Sequence, residues 1–586
     1  MTTRDYDSRP PVPASVNIPV RDRKQSRDKV ADYNARPIGF RVRAIQRMSV
    51  AAPVSGTVYA VLLNHRDAIE ALGVAVHAKP YERPAVAPVL YLRPANTWSS
   101  HGDVIALPAD VPEVDVEATI GIVFDRATSQ VSKEDAFACV RGFVVVADLT
   151  VPHASVYRPA IRQRDRDGFC VFSANVGAAT SDEIAVTTSV DGEARETANT
   201  RDLVRDVPTL VADISAFMRF EAGDVLLIGA LGKPARARPG QTVQVDAGAL
   251  GAVAFSMAPI PVLADPIPSP TLPLKGREPR GDASPFEGRE FCDDSSPFKG
   301  EVGRGSLGGV SSRTRDAFQT PAACRPPAGL RRGRVAFEGA IHDVTEADGR
   351  VRLANGRLID EHEPVWLPPF APTPRARSIF ALGLNYADHA KELAFKAPDE
   401  PLVFMKGESS LVGHRGVTPR PRDAAYMHYE CELVVVIGRT ARGVRRDEAY
   451  DFVAGYTVAN DYAIRDYLEN YYRPNLKVKN REATTPIGPW LVDAALVPDP
   501  MQLALSTRVD GRTTQSGTTR DMIFDVPFLV EYLSSFMTLS PGDLILTGTP
   551  EGLVDTPIGA VVETSIDGIG TLINTIAAAP RSADHP

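Results

Sequence analysis

Two stretches of this chain repeat each other, and the repeat constrains every further assignment. Residues 190–224 read VDGEARETANTRDLVRDVPTLVADISAFMRFEAGD, and residues 509–543 read VDGRTTQSGTTRDMIFDVPFLVEYLSSFMTLSPGD, so that VDG, TRD, DVP, FM and GD all recur 319 positions later. A sequence that matches itself at a fixed offset uses the same structural unit twice. The chain is therefore predicted to be a tandem duplication.

The two copies are separated by a different kind of sequence. We assign the first half to residues 51–264 and the second half to residues 331–579. Between them, residues 265–330 repeat the motifs PLKGREP, PFEGREF and PFKGEVG every 12 residues and are rich in Pro, Gly and charge. Such a segment buries too little apolar surface to offset its ordering entropy, so we expect a disordered linker. Residues 1–50 are polar, lack the apolar segment of a secretory signal, and are expected to form a disordered extension.

Within each half, short runs of Val and Ile alternate with turn residues. The runs include ATIGIVF, GFVVVAD, LVVVIG, GYTVAND and DLILTG, whereas helical spacing is confined to places such as DVPFLVEYLSSFM. This pattern differs from the regular strand–helix alternation of a doubly wound sheet. The sequence therefore predicts a β-rich α+β fold in which one sheet unit occurs twice.

The composition argues against several classes of function. Apolar residues make up 44% and charged residues 24%, the net charge is −8, and no basic stripe suggests nucleic acid as a partner. The most apolar stretch, residues 248–264, is shorter than the ~20 residues of a membrane span and contains two prolines, so no membrane partner is expected. The 5 cysteines form no CxxC pair, which favours neither a disulfide framework nor a zinc site, and we expect a cytoplasmic location.

The stretch YECELVVVIG places two glutamates at the head of a valine-rich strand. Glu430 and Glu432 are two residues apart and point to the same face of a strand. Because two buried carboxylates repel each other, a divalent cation would stabilise them, and Asp461 at the end of another β-like run is a third candidate ligand. Hard oxygen ligands favour Mg²⁺ or Mn²⁺. The alternative is that the ExE motif only begins an exposed edge strand.

Three other motifs carry further candidates for the chemistry. In GLNYADHAKEL, His389 and Glu392 lie three residues apart, on one face of a helix, where such a pair can act as an oriented general base. Lys479 precedes a turn with the sequence PIGP, and Thr549 lies in the tight loop LTGTPEG. Taken singly, each motif is weak, because exposed His–Glu pairs and solvated lysines are more common than functional ones and the threonine loop is otherwise a plain turn.

Together and in this order, these motifs resemble the fumarylacetoacetate hydrolase family. The resemblance covers residues 378–575 and rests on GLNYADHAKE, FMKGESSLVGH, HYECELVVVIGR, GYTVANDYAIRDY, PIGPWLV, TRDMIF and PGDLILTGTPEG. It implies the mixed β-sheet roll of the fumarylacetoacetase C-terminal-like fold, in two copies here. Members of the family are often dimeric.

The resemblance also implies a role for each candidate residue. These roles are ligation of Mg²⁺ or Mn²⁺ by Glu430, Glu432 and Asp461, acid–base catalysis by His389 and Glu392, stabilisation of the substrate oxyanion by Lys479, and substrate contact by Arg465 and Thr549. The tandem arrangement is similar to that of family members that decarboxylate and isomerise unsaturated oxo-dicarboxylates and oxo-tricarboxylates, which implies a small-molecule substrate. The alternative is hydrolysis of a carbon–carbon bond in an acylpyruvate or fumarylpyruvate.

The first half departs from the second where the chemistry is expected. The replacements are Ala68 for His389, Ala71 for Glu392, Arg164 for Lys479, and Pro152 for Arg465. Asp115, Glu117 and Asp148 could still form a carboxylate trio, in a strand whose register can shift by a residue or two. We expect a degenerate, structural first half, in a monomer with pseudo-dimeric halves or in a homodimer. The alternative is that this half carries one reaction with altered groups.

Overall fold

The structure is a computed structural model that describes residues 54–178, 183–260, 329–388, 398–467 and 476–580. Three sequence predictions lie wholly or mostly outside these residues. They are the disordered extension at residues 1–50, the linker at residues 265–330, and the pair His389 and Glu392.

The first half forms two β-sheets. Its strands are β1 (Val58–Leu62), β2 (Val89–Arg93), β3 (Trp98–Ser100), β4 (Val104–Leu107), β5 (Val114–Phe124), β6 (Val140–Thr150), β7 (Cys170–Phe172), β8 (Ala185–Val190), β9 (Glu193–Asn199), β10 (Val225–Leu227), β11 (Ala235–Ala237), β12 (Thr242–Asp246) and β13 (Ala252–Pro259). One sheet has the order β2-β1-β10-β5-β6-β7-β3, with β11 paired to β5. The other has the order β4-β13-β12-β8-β9.

The second half repeats this arrangement and extends it. Its strands are β14 (Arg331–Phe337), β15 (Ala340–Ala347), β16 (Arg350–Leu353), β17 (Leu358–Ile359), β18 (Val365–Leu367), β19 (Ile379–Gly383), β20 (Leu402–Lys406), β21 (Leu411–Gly413), β22 (Val417–Arg420), β23 (Met427–His428), β24 (Cys431–Ile437), β25 (Val453–Asn460), β26 (Ala463–Ile464), β27 (Thr485–Ile487), β28 (Leu491–Asp493), β29 (Ala504–Val509), β30 (Arg512–Thr518), β31 (Leu544–Leu546), β32 (Val561–Ile566) and β33 (Gly570–Ala578). The main sheet has the order β17-β16-β15-β14-β28-β25-β24-β31-β19-β20, and the second sheet has the order β22-β33-β32-β29-β30.

The strand orders of the two halves match. The series β2-β1-β10-β5-β6 recurs as β20-β19-β31-β24-β25, and β4-β13-β12-β8-β9 recurs as β22-β33-β32-β29-β30. The pairing of β1 with β10 is parallel, as is that of β19 with β31, while the other pairs in each series of the main sheet are antiparallel. The prediction of a β-rich tandem duplication with mixed sheets is confirmed.

The described residues contain few α-helices, namely α1 (Arg66–Leu72), α2 (Ile161–Arg164), α3 (Val207–Ser215), α4 (Leu476–Lys479) and α5 (Val526–Phe536). The repeated DVP motif begins α3 and α5 in the same way. Asp206 and Asp525 are the N-caps, each accepting a hydrogen bond from a backbone N–H three residues later, and each is followed by Pro in the first turn. Within the described part of the chain, no helix is long and apolar enough to span a membrane.

The two halves share one hydrophobic core, because a single cluster of buried apolar side chains draws members from both. Polar contacts also join them. Asp167 of the first half accepts hydrogen bonds from the N–H and hydroxyl of Thr538, at 2.8 and 2.6 Å, and pairs with Arg442 at 3.2 Å. At Gly407, a Cβ atom would overlap the hydroxyl of Tyr59. The halves therefore pack directly against each other through apolar and polar contacts.

Candidate metal and active site

The site is built where two neighbouring strands of the main sheet end together. Strand β24 pairs antiparallel with β25 so that Glu432 lies opposite Ala459. One residue past the end of β25, the N–H of Asp461 donates to the carbonyl of Glu430 at 2.9 Å. Strand β24 lies between β25 and β31, and every residue in it is buried. The alternative of an exposed edge strand is therefore wrong.

Three carboxylates converge at this point. Glu430, Glu432 and Asp461 each offer an oxygen, and these oxygens all lie within 4.8 Å of one another. Glu430 is 8% exposed, and the other two are fully buried. Glu432 Oε2 accepts from the N–H of Gly548 at 2.5 Å, but within the described chain Oε1 has no hydrogen-bond partner. A buried oxygen without a partner is costly, and an all-oxygen donor set with such an atom fits a hard divalent cation.

Two lysines, Lys406 buried and Lys479 with a 12% exposed side chain, neutralise part of the carboxylate charge. The Nζ atom of Lys479 lies 2.6 Å from Glu430 Oε2 and 2.9 Å from Asp461 Oδ2. The Nζ atom of Lys406 lies 2.7 Å from Asp461 Oδ1 and donates to the carbonyl of Lys479. Among the described residues, two ammonium groups contact three carboxylates, so a divalent cation would add the positive charge that this set of five groups lacks.

The pKa shifts of the lysines follow from these contacts. Burial alone would lower the pKa of Lys479, but the carboxylates of Asp461 and Glu430 outweigh it and raise that pKa above its ordinary value. Burial does lower the pKa of Lys406, with Asp461 opposing the effect. Lys479 is therefore a persistent cation beside the carboxylates. Lys406 was missed by the sequence reasoning, although it lies in the FMKGE motif.

The pKa of the Glu432 carboxyl is also shifted by its surroundings. Burial, followed by the charges of Asp461 and Glu430, raises its pKa well above the ordinary value, while Lys479 and the N–H of Gly548 oppose the shift. Glu432 therefore retains a proton readily until a cation compensates its charge. A cation bound at this site would compensate that charge and displace the proton.

Arg465 contacts a histidine that lies two residues before Glu430. Its Nε–H donates to Nε2 of His428 at 2.7 Å, and His428 Nδ1 lies 3.0 Å from the carbonyl oxygen of Tyr429. The His428 ring is fully buried, and its Nδ1 lies 3.8 Å from Glu430 Oε1. Sequence reasoning singled out Arg465 but not His428, whose only signal was its place two residues before Glu430.

Thr549 is buried in the loop that follows β31. Its hydroxyl accepts a hydrogen bond from Nε2 of Gln515 at 2.9 Å, and the same amide donates to the carbonyl of Pro550 at 2.8 Å. The hydroxyl of Thr507 donates to the Gln515 carbonyl oxygen at 3.1 Å. Because Thr549 Oγ1 accepts from Gln515, its own O–H is directed elsewhere and remains able to donate to a ligand.

The register of the first half settles which of its residues correspond to the carboxylates. Strands β5 and β24 pair with the repeat-related strands β10 and β31, and counting along them puts Glu117 at the position of Glu430. Thr119 then takes the position of Glu432. Asp115 lies two residues earlier than Glu117 and forms an ion pair with Arg236 instead. A trio that includes Asp115 is therefore not supported by this register.

Arginines occupy the first-half counterpart of the site. Arg164 donates to both carboxylate oxygens of Glu117, at 2.9 and 2.8 Å, and lies 3.5 Å from Asp148. Arg93 pairs with Asp148 at 3.1 Å, and the hydroxyl of Tyr91 also donates to that carboxylate. In the described part of the chain, the only cluster of three or more His, Cys, Asp or Glu side chains suited to a metal is the one in the second half.

A family model supplies an independent comparison. The model described as fumarylacetoacetate (FAA) hydrolase C-terminal matches residues 57–257 and again residues 378–577. The chain belongs to the fumarylacetoacetate hydrolase family. Enzymes of this family are generally metal-dependent, and the acidic cluster of the second half is the candidate metal site of this member.

Several known proteins are similar to this chain over nearly its whole length. The bifunctional isomerase/decarboxylases of 4-hydroxyphenylacetate degradation from Salmonella dublin and Escherichia coli are each 36% identical over 523 residues, covering 89% of this chain and 98% of the relative. A bifunctional isomerase/decarboxylase of homoprotocatechuate catabolism from Escherichia coli is 35% identical with the same coverage. The similarity therefore includes both halves of this fumarylacetoacetate hydrolase family member.

Proposed function

We propose that this chain is a metal-dependent decarboxylase and isomerase of 4-hydroxyphenylacetate (homoprotocatechuate) breakdown. It would convert 5-oxopent-3-ene-1,2,5-tricarboxylate by loss of CO₂ and then isomerise 2-hydroxyhepta-2,4-dienedioate to 2-oxohept-3-ene-1,7-dioate. The observation that carries the proposal is the convergence of three buried carboxylate oxygens within 4.8 Å, next to the ammonium group of Lys479. Tandem relatives with 36% identity over 89% of the chain support the pair of reactions.

Glu430, Glu432 and Asp461 would hold the cation. Mg²⁺ or Mn²⁺ is proposed because all three side chains are hard oxygen donors. When bound, such an ion acts as a Lewis acid that stabilises negative charge developing on an oxo-acid. The unpaired oxygen of Glu432 supports this assignment more directly than the carboxylate count, because it has a free lone pair inside a buried site.

Lys479 would stabilise the enolate. In the decarboxylation, the carbon–carbon bond to the departing carboxylate breaks and its electron pair remains as an enolate. A buried ammonium group stabilises an anion more strongly than an exposed one, because the surrounding dielectric constant is low. The side chain of Lys479 is only 12% exposed, and its contacts with Glu430 and Asp461 fix its direction.

Proton transfer completes each reaction. In the isomerisation, a proton leaves the hydroxyl on carbon 2 and another is added at carbon 5, so that the diene becomes a 2-oxo-3-ene. We propose His389 and Glu392, which lie outside the described residues, as the groups that carry these protons, on the strength of their spacing in GLNYADHAKEL. Arg465 and Thr549 would bind oxygens of the substrate through N–H and O–H donors.

The proposal also covers the cellular compartment, the role of the first half and the substrate. The described cysteines, Cys139, Cys170 and Cys431, are unpaired and buried, which supports a reducing compartment such as the cytoplasm. The shared core supports a first half that acts as a structural partner within one chain. A small unsaturated oxo-dicarboxylate or oxo-tricarboxylate would be the substrate.

Product analysis with purified protein tests this function. The protein is incubated with Mg²⁺ and 2-hydroxyhepta-2,4-dienedioate while the absorbance of the conjugated dienol is followed. Loss of absorbance with a single seven-carbon product is expected, and the Glu432→Gln variant should leave the absorbance unchanged. Release of pyruvate would support carbon–carbon bond hydrolysis instead, and absence of any turnover would refute the proposal.

A further inference from the structure

A short two-stranded ribbon brings His428 and Arg465 next to the candidate metal ligands. Strand β23 pairs with β26 so that His428 lies opposite Ala463. The backbone N–H of Arg465 donates to the carbonyl of Tyr426 at 2.9 Å and closes the end of the ribbon. Because Glu430 follows His428 by two residues, any group held by this ribbon lies close to the carboxylates.

The hydrogen bonds of His428 determine where its proton lies. A carbonyl oxygen can only accept, so the nitrogen 3.0 Å from the Tyr429 carbonyl, Nδ1, carries the proton. The other nitrogen, Nε2, is then an acceptor and receives the Nε–H of Arg465 at 2.7 Å. Both contacts require the same neutral tautomer, and the ring is fully buried, so this histidine has one orientation.

In this arrangement the two Nη atoms of Arg465 can donate hydrogen bonds to a ligand. The guanidinium uses its Nε–H on His428, and its two Nη atoms have no hydrogen bond or ion pair with any described residue. Two parallel Nη–H groups match the spacing of two carboxylate oxygens. We propose that His428 is a positioning residue that fixes the guanidinium of Arg465 so that its Nη edge receives a carboxylate of the substrate. This inference rests on the proposed function.

The first half indicates that the pair is not needed for folding. Asp115 takes the position of His428, and it lies opposite Thr150 in the same backbone register that pairs His428 with Ala463. Pro152 takes the position of Arg465. The backbone pairing is therefore made without the histidine and the arginine. The first half, which lacks both the histidine and the arginine, also has a threonine at the position of Glu432.

Two substitutions separate positioning from packing. His428→Leu keeps the volume but removes the acceptor, whereas His428→Gln places a carbonyl oxygen near the position of Nε2. We expect His428→Leu to raise the KM for the dienedioate about 10- to 100-fold while kcat changes less, because a hydrogen bond to a charged group is lost. His428→Gln should stay within about 3-fold of the parent, since it restores the acceptor.

A second histidine serves as the matched control. His153 of the first half is half-buried, and its Nδ1 likewise lies 3.0 Å from a backbone carbonyl, that of Val151. His153→Leu should leave KM and kcat unchanged. Binding of Mn²⁺ should be the same in all three variants, because none removes a carboxylate. An unchanged KM in His428→Leu would overturn the inference, as would an equal rise in His428→Gln.

A binding measurement keeps the inference separate from the proposed function. Oxalate binding to the Mn²⁺-loaded protein is measured by calorimetry, and crystal structures of both variants are compared. Weaker oxalate binding in His428→Leu with a displaced Arg465, and neither change in His428→Gln, supports the positioning role even if the dienedioate is not turned over. Arg465 in its original place in His428→Leu, with unchanged oxalate binding, overturns that role whatever the enzyme's substrate.

Discussion

Arg164 donates two parallel hydrogen bonds, of 2.9 and 2.8 Å, to the carboxylate of Glu117. At the matching position of the second half, Lys479 makes a single contact of 2.6 Å with Glu430. A planar guanidinium spans both oxygens of its partner, whereas an ammonium group is a compact charge that contacts one of them. Arg164, together with Thr119 at the position of Glu432, therefore distinguishes the first-half site from the candidate metal site.

Lys479→Arg should therefore give the second site the ion pairing seen in the first. In Lys479→Arg the guanidinium would pair with both oxygens of Glu430, and Mn²⁺ affinity should fall about 10-fold or more. Titration of the metal-free protein with Mn²⁺ measures this. As a control, Lys479→Met should still bind Mn²⁺ while kcat falls about 10²- to 10³-fold, because the cation beside the enolate is lost. Full Mn²⁺ affinity in Lys479→Arg would contradict this account.

Asn385 should be essential for stability. It is buried, its amide donates to the carbonyls of Phe524 and Thr547 at 3.0 and 2.8 Å, and its carbonyl oxygen accepts from the N–H of Phe524 at 2.8 Å. Asn385→Ala leaves these three backbone groups without partners and should lower the free energy of unfolding by about 2–4 kcal/mol. Urea denaturation measures this loss.

Asn64 makes the same three contacts in the first half, to Arg205 and Ile228. Asn64→Ala is therefore the matched variant and should cost a similar amount. A loss below about 0.5 kcal/mol in both variants, as is usual for surface substitutions, would show that these bonds contribute little.

Asp165 should make stability depend on pH. Burial raises its pKa to about 7, with Arg93 opposing the shift and Asp148 adding to it, and within the described chain Oδ2 has no hydrogen-bond partner. Because the pKa is higher in the folded state than in the unfolded one, the stabilising contribution is complete below about pH 4 and is lost as the pH rises through about 7.

Asp165→Asn should remove this dependence. Between pH 4 and pH 8, the unfolding free energy of the parent should fall relative to that of the variant by roughly 2–4 kcal/mol, because the variant carries no titrating group there. Urea denaturation at several pH values compares the two proteins. Parallel curves over this range would show that Asp165 titrates alike in the folded and unfolded states.

The sequence predicted those features that depend on local pattern. The repeat and the valine runs indicated a tandem β-rich fold, and Glu430 and Glu432 were visible because they share one face of a strand. Lys406 was not visible in the sequence, because a lysine at the end of a strand usually faces water. Its burial depends on Asp461, which lies 55 residues away. His428 was missed for the same reason, since its partner Arg465 lies 37 residues away, directly after β26.

The first-half site could not be assigned from the sequence, because a run of apolar residues is compatible with several registers. Only the pairing of β5 with β10, whose repeat-related partner is β31, fixes Thr119 at the position of Glu432. The replacement of Lys479 by Arg164 was visible in the sequence. Its consequence, the occupation of the carboxylates by a guanidinium, required the geometry.

The count of bound cations tests the central claim most directly. Metal-free protein is titrated with Mn²⁺, and free ion is measured by electron paramagnetic resonance for the parent, for Glu432→Gln and for Glu117→Gln, its counterpart control in the first half. The account predicts one ion per chain in the parent and in Glu117→Gln, and none in a folded Glu432→Gln. Two ions in the parent, or one ion of unchanged affinity in Glu432→Gln, would contradict it.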